Sequence, residues 1–210
     1  MTGGVLVVEH PLVRHRLVAL RDETTESATF RQLVHEISTF VAYEALQDLA
    51  TEQVSVRTPV GVATCTKVAE TVLLVPILRA GLGMVPAVQE LLPYTEVAHV
   101  GLRRDEITLR SEVYLDRLPR DLTGRRVVVC DPMLATGGSL AQVCDLVVSR
   151  GASEVQALCL IASMPGIERF RQSHPELPVA CAVVDPELNG NGFIVPGLGD
   201  AGDRLFGPPS

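Results

Sequence analysis

The segment 125–146, RRVVVCDPMLATGGSLAQVCDL, gathers the residues of this chain best suited to holding an anion. Val127, Val128, Val129 and Cys130 form a β-branched apolar run that reads as a buried strand, with Asp131 at its end. Pro132, Met133 and Leu134 lead into the small and turn-forming residues Ala135, Thr136, Gly137, Gly138 and Ser139. Leu140, Val143, Leu146 and Val147 then recur at helical spacing. Glycines let such a turn tighten until its N–H groups and the hydroxyls of Thr136 and Ser139 converge. The positive end of the following helix adds attraction for a phosphate. A carboxylate repels phosphate, so Asp131 is suited to accepting hydrogen bonds from a neighbouring diol; a ribose phosphate carries both groups. Taken alone, the turn reads equally as an ordinary strand-to-helix connection capped by Ser139. It is not a Walker loop, because no Gly-Lys-Ser/Thr follows.

Three other stretches carry unusual chemistry. In VPILRAGLGM, residues 75–84, a buried strand runs into a turn with a single arginine, Arg79, before a helix. The dinucleotide fingerprint GxGxxG is not met, since Pro86 stands where the third glycine belongs. Strand ends of open α/β sheets line the ligand crevice, which makes Arg79 a candidate; a salt bridge on the rim is the plain alternative. Residues 103–120, beginning Arg103-Arg104-Asp105-Glu106, are charged and weakly periodic. They read as a mobile hairpin or lid, or simply as a solvated β-hairpin. The tail, 185–207, is glycine-rich and reads as neither helix nor regular strand, yet Phe193-Ile194-Val195 and Leu205-Phe206 are apolar enough to fold back. Such a backbone can present N–H and C=O groups to the edge of a planar ligand, with Asp200 and Asp203 nearby, or form no more than a compact irregular cap.

The elements that must position these stretches alternate. Residues 5–8 read as a short strand or an intermolecular arm, and Leu12, Val13, Leu17 and Leu20 as a short helix. A long amphipathic helix over 27–50 follows, striped by Phe30, Leu33, Val34, Ile37, Phe40, Val41, Ala45 and Leu49, and serving either core packing or a subunit interface. Residues 54–56 and 60–64, around Pro59, read as small edge strands. Strands at 71–77, 96–102, 155–162 and 179–184 and helices at 83–92 and 165–173 complete the pattern. It predicts an α/β fold with a parallel, Rossmann-like sheet, in one domain spanning 1–210.

Composition narrows the function classes. Hydrophobic content of 47% with 20% charged residues is that of a packed α/β protein. Aromatics at 4%, no tryptophan and a net charge of −7 argue against a nucleic-acid surface. The five cysteines form no CxxC pair and lie mostly in apolar runs, which points to a reducing cytoplasm. The N-terminal MTGGVLVVEHP reads as neither signal peptide nor membrane span, and the five histidines lack ligand spacing, so a protein-held metal is not expected.

VPILRAGLGM (75–84), DPMLATGGS (131–139) and FIVPGLGDAGDRLFG (193–207), in this order, closely resemble the uracil phosphoribosyltransferase family. The resemblance extends over nearly the whole chain from Glu9-His10-Pro11 onward. It implies a phosphoribosyltransferase core with a flexible hairpin and an irregular C-terminal base-binding cap. The reaction implied is uracil plus 5-phosphoribosyl 1-diphosphate (PRPP) giving UMP and diphosphate, in pyrimidine salvage. By position, Asp131 through Pro132, Met133, Leu134 and Ala135 to Ser139 matches the PRPP loop, with Ala135–Ser139 on the 5-phosphate and Asp131 on the ribose hydroxyls. Arg79 matches the diphosphate loop, and Arg104 the arginine of the hairpin that closes over it; Arg104 and Asp131 are the catalytic candidates. Ile194, Gly199 and Ala201 match backbone readers of uracil, and Asp200 a residue reaching PRPP. The resemblance further implies Mg2+ bound mainly through diphosphate and water, a homodimer or homotetramer, and GTP as an effector, as in some relatives.

The chain departs from the family pattern in places. Arg103 stands where an aromatic residue is usual, Glu44-Ala45-Leu46-Gln47 replaces Glu-Ala-Thr-Arg, and Phe193 replaces a frequent tyrosine. A nucleotide- or RNA-binding regulator on the same fold, or a transferase for another base, are the readings that compete.

Overall fold

A computed structural model describes residues 4–104 and 111–208. In chain order the elements begin with β1 (Val5–Val7), α1 (Pro11–Arg21), α2 (Ser27–Ala45), β2 (Thr51–Thr58), β3 (Gly61–Val68), β4 (Val72–Leu78), α3 (Val85–Leu91), β5 (Glu96–Val97), β6 (Val100–Arg104) and β7 (Ser111–Asp116). They continue with β8 (Arg126–Cys130), β9 (Met133–Leu134), α4 (Gly138–Ser149), β10 (Glu154–Leu158), β11 (Ile161–Ser163), α5 (Met164–Ser173), β12 (Val179–Cys181) and β13 (Val183–Asp185). The C-terminal part holds β14 (Glu187–Leu188), β15 (Ile194–Val195) and α6 (Ala201–Phe206).

The main sheet has the order β1-β12-β10-β8-β4-β6-β7, with β5 also on β4. Neighbours from β1 to β6 pair parallel, and β7 pairs antiparallel with β6. Its central strands are buried on both faces, as the continuous apolar runs require. Their side chains alternate between two cores. Val72, Leu74, Val128, Cys130, Leu158 and Ala180 face the core packed with α1, α2 and α3. Leu73, Val75, Ile77, Val127, Val129, Val155 and Ala157 face the core packed with α4 and α5. The strand-end turns therefore open between two layers of helices.

Several expected elements are differently divided. The run read as one strand over 155–162 is two, β10 in the main sheet and β11 in a smaller sheet; 179–184 splits likewise into β12 and β13. The breaks are set by long-range hydrogen bonds: Leu160 and Ile161 both donate to the Pro132 carbonyl, and Ala182 and Val183 to that of Leu160. A local apolar pattern cannot register such partners. The smaller sheet, β13-β11-β9, is parallel and curls over the strand ends. Residues 96–102 also divide, into β5 and β6. Residues 5–8 belong to the sheet edge, where β1 pairs with β12.

The long helix stops at Ala45, and Leu46 N–H closes it on the Ala42 carbonyl. The pair read as edge strands around Pro59 is instead a separate hairpin, β2–β3, paired only to itself from Thr51↔Val68 to Thr58↔Gly61. The tail contradicts the expectation of no regular structure: β14 and β15 form an antiparallel pair and α6 a short helix. Its glycines mark turns around these elements, as at Gly197 and Gly199, whose φ values are 56° and 83°. Of the 103–120 hairpin, β6 and β7 are its two arms, and residues 105–110 lie outside the described residues.

Candidate active site

β8 ends at Cys130, and Asp131 N–H donates to the Leu158 carbonyl at 3.1 Å, which holds the carboxylate at the carboxyl edge of the sheet. Asp131 is half-buried in the floor of the cleft. Burial pushes its pKa up to about 7, against a weaker opposing effect from the Met133 N–H it accepts.

The turn after it is fixed by backbone contacts. Gly137 has φ 77°, and a Cβ there would lie 2.7 Å from the Gly166 carbonyl oxygen. Gly166 in turn sits so close to the turn that a Cβ would lie 2.1 Å from the Ala135 oxygen. Ser163 completes the brace: its hydroxyl donates to the Ala135 carbonyl at 2.6 Å and accepts from Gly166 N–H at 2.9 Å, capping α5. The start of α4 is capped differently from the sequence reading. Gly137, in the left-handed conformation, occupies the N-cap position, and Ser139 lies inside the helix at its second residue. Ser139 is thus not the N-cap residue, and it lines the cleft.

Arg79 follows β4 and is preceded by a cis peptide bond from Leu78. Its guanidinium pairs with Asp203 at 2.8 Å and also reaches the Gly207 carbonyl at 3.4 Å. Both the salt bridge and the cleft position considered for it are therefore present. Gly81, two residues on, passes so near β8 that a Cβ would lie 2.3 Å from the Cys130 oxygen. Only glycine allows the turn to approach the end of β8 so closely.

The cleft has two adjoining lobes. One, of about 270 Å3, is lined by Asp131, Met133 and Ala135 on one side and by Ile194, Gly199, Asp200 and Ala201 on the other. The second, of about 240 Å3, is lined by Arg79, Asp131, Ser139 and Asp200 among others. Asp131 and Asp200 thus stand on the edge the two lobes share. Pro132, Leu134, Thr136, Gly137 and Gly138 line neither lobe. Pro132 and Leu134 are buried, the first carrying the β11 junction and the second packing in the core. The backbone of Arg104 ends β6, opposite Ser111. Sequence reasoning passed over Ala80, Asn191 and Gly202, which line the cleft; Asn191-Gly192 is a turn signal that also marked this loop.

Among the described residues, no cluster of three or more His, Cys, Asp or Glu could cage a metal. Asp131 and Asp200 offer hard oxygen donors on one edge, a set that suits Mg2+ shared with a phosphorylated substrate. No helix among them is long and apolar enough to cross a membrane. Cys130, Cys144, Cys159 and Cys181 are free and buried, and Cys65 is free and exposed. Burial pushes the Cys130, Cys144 and Cys181 thiols up to about 12, which leaves them inert near neutral pH.

Comparison with known proteins gives the architecture a family. The chain is 48% identical over 204 residues to a uracil phosphoribosyltransferase of Clostridium beijerinckii, covering 97% of this chain and 98% of the relative. It is 51% identical over 205 residues to a protein of the same name from Kineococcus radiotolerans, covering 96% and 97%. Among solved structures, the AQ2163 protein of Aquifex aeolicus superposes with a TM-score of 0.91 at 36% identity, covering 97% of this chain and 98% of that one. Residues 7–208 match the family profile described as uracil phosphoribosyltransferase, a span that takes in the strand-end turns, the braced glycine loop and the C-terminal cap together. With that match and relatives of this identity along almost its full length, the chain belongs to the uracil phosphoribosyltransferase family.

Proposed function

We propose that this chain joins uracil to PRPP, releasing diphosphate and forming UMP, and that the two-lobed cleft is where it does so. The observation that carries the assignment of the site is the shared edge. Asp131 and Asp200 stand between a lobe walled by Ile194, Gly199 and Ala201 and a lobe walled by Arg79 and Ser139. Uracil in the first lobe, with the PRPP ribose on the shared edge, its 1-diphosphate toward Arg79 and its 5-phosphate toward Ser139, matches those surroundings.

In this reading the turn Ala135–Ser139 takes the 5-phosphate on its N–H groups and hydroxyls. The Asp131 carboxylate accepts from the ribose hydroxyls, and Asp200 reaches PRPP from the cap. Displacement at the anomeric carbon develops positive charge on the sugar and negative charge on the leaving diphosphate. Arg79 and Arg104 stabilise that negative charge, so catalysis is positioning and electrostatics, and no protein nucleophile is required. Mg2+, held by diphosphate and water with Asp131 and Asp200 close by, would supply further neutralisation of the leaving group. Backbone groups of Ile194, Gly199 and Ala201 read the acceptor-donor-acceptor edge of uracil. Cytosine presents a mismatched edge there, which costs about 1–3 kcal/mol for each group left unpaired.

The hairpin β2–β3 supports assembly. An isolated two-stranded hairpin is marginal in water, and this one carries Val60 98% and Val62 76% exposed. We assign it to a contact between copies in a homodimer or homotetramer, checked by light scattering on a variant with Val60 and Val62 changed to Ser. Segments 1–50, 103–120 and 185–207 then act as N-terminal support, closing hairpin and base cap of one domain. The buried free thiols fit a reducing cytoplasm. GTP enters as a proposed effector from the family alone, and adding it at fixed PRPP tests it.

The decisive assay mixes protein, uracil, PRPP and Mg2+ and follows UMP and diphosphate. Stoichiometric formation of both is expected; absence of both in folded protein overturns the reading.

A further inference from the structure

Asp185 is 3% exposed at the end of β13, outside the lining of either lobe. Its two carboxylate oxygens accept from Arg21 at 2.7 and 2.8 Å, a fork-to-fork ion pair between the last residue of α1 and the small sheet. The pair does more than close on itself. The Asp185 oxygen that accepts from Arg21 Nη1 also accepts the Gly197 N–H at 2.9 Å, and Arg21 Nη1 donates to the Gly197 carbonyl at 2.8 Å. Both backbone polar groups of Gly197 are therefore held by one ion pair.

Gly197 needs such a hold. It has φ 56° and leads within two residues to Gly199, itself at φ 83°, where an added Cβ would meet only open space. Asp185 is also tied to the opposite wall of the cleft. It lies in register with Ser163 of β11, whose hydroxyl holds the Ala135 carbonyl, and Met133–Leu134 pairs with the same β11. The ion pair is thus the junction between the phosphate turn and the loop of Gly199–Ala201.

We infer that Arg21 and Asp185 are positioning residues for base recognition, setting the angle at which the loop 197–201 presents its backbone to uracil. The inference rests on the assignment of that loop as the base reader. A fork that clamps a carbonyl and an N–H at once fixes translation and rotation of the peptide, which a single hydrogen bond cannot do. Loosening it lets the reading groups wander while the phosphate turn keeps its own brace from Ser163 and Gly166.

The test is steady-state kinetics on Asp185→Asn and Arg21→Lys, the second keeping the charge while losing the fork, each with a thermal melt. Expected is a rise of about 10-fold or more in KM for uracil, with KM for PRPP and kcat at saturating uracil within about 3-fold, and a smaller preference for uracil over cytosine. An unspecific structural role would shift both KM values together or lower kcat alone. Either result, or an unchanged uracil KM in a folded variant, overturns the inference. Gly199→Ala separates the two levels: if it leaves uracil KM unchanged, the base-reader assignment fails. If it raises uracil KM while folded Arg21→Lys and Asp185→Asn do not, only the positioning role fails.

Discussion

The two walls of the cleft are built by different means. The turn 131–139, the proposed phosphate cradle, is fixed mostly by close backbone approach: strand β8 feeds it, Gly137 and Gly166 interlock, and the Ser163 hydroxyl bridges Ala135 and Gly166. The cap 185–207 is fixed by arginine side chains reaching between distant segments. Arg21 holds Gly197; Arg204 donates to the carbonyls of Leu20, Leu198 and Asp22 and lies 4.2 Å over the Phe30 ring; Arg31 donates to the Leu205 carbonyl. Phosphate is the same ion wherever it binds and tolerates a rigid backbone cradle. In the proposed function the other wall must tell a base from its close analogues, and that wall is hung on adjustable side chains.

Breaking the interlock should have the largest effect. Gly137→Ala forces a side chain onto a left-handed residue and against the Gly166 oxygen, costing about 2–4 kcal/mol. Thermal unfolding should show the loss, and kcat/KM for PRPP should fall by about 100-fold or more. Next comes Asp131→Asn, expected to lower kcat/KM for PRPP by about 100-fold by analogy with removing one preorganised partner.

The pH dependence gives that variant a second signature. Asp131 titrates near 7 in the free protein, raised by burial above its ordinary value of 3.8. If the anion is the ribose acceptor, kcat/KM rises with pH through about 7 and levels above it, and Asp131→Asn removes that limb. For stability the sign is opposite. A carboxyl with a raised folded pKa contributes stability that is fully present below 3.8 and is lost as pH rises through about 7. The melting temperature of Asp131→Asn relative to the parent should therefore climb between pH 4 and pH 7.

Arg204→Gln tests the other wall. It removes carbonyl contacts and a stacked cation, and should cost about 1–3 kcal/mol, with uracil KM rising several-fold and PRPP KM little changed. The smallest effect sharpens the contrast further. In native protein a thiol reagent should modify Cys65 alone, and in Arg204→Gln the buried Cys130 and Cys159 should stay protected, because a loosened cap leaves the strand ends closed. Their early modification would mean that the cap and the sheet open together.

This division also explains what could be read from the chain. Val127–Val129 and the 71–77 run announced their strands because both faces are buried and no polar residue interrupts them. Gly137 and Gly138 announced a tight turn for the same local reason. Nothing local distinguishes Arg21 or Arg204 from a surface arginine; their partners lie 164 and up to 184 residues away. The breaks at Leu160 and Ala182 were hidden because residues on both sides are equally buried in different sheets. Helix Ala201–Phe206 was masked by its neighbouring glycines, and its cap, Asp200 accepting from Asp203 N–H, becomes legible only once a helix is known to begin there.

The small sheet β13-β11-β9 has one further consequence. It is a ladder of main-chain hydrogen bonds running from Met133–Leu134 through Ile161–Ser163 to Val183–Asp185. Strands in such a ladder keep a spacing of about 4.8 Å whatever side chains they bear. For the proposed site, the distance from phosphate turn to base loop is then a ruler cut in backbone and not a property that point substitutions readily tune. Exchanging cap residues can alter which base is read, but a nucleotide with a longer or shorter reach between phosphate and base would need a strand added or removed.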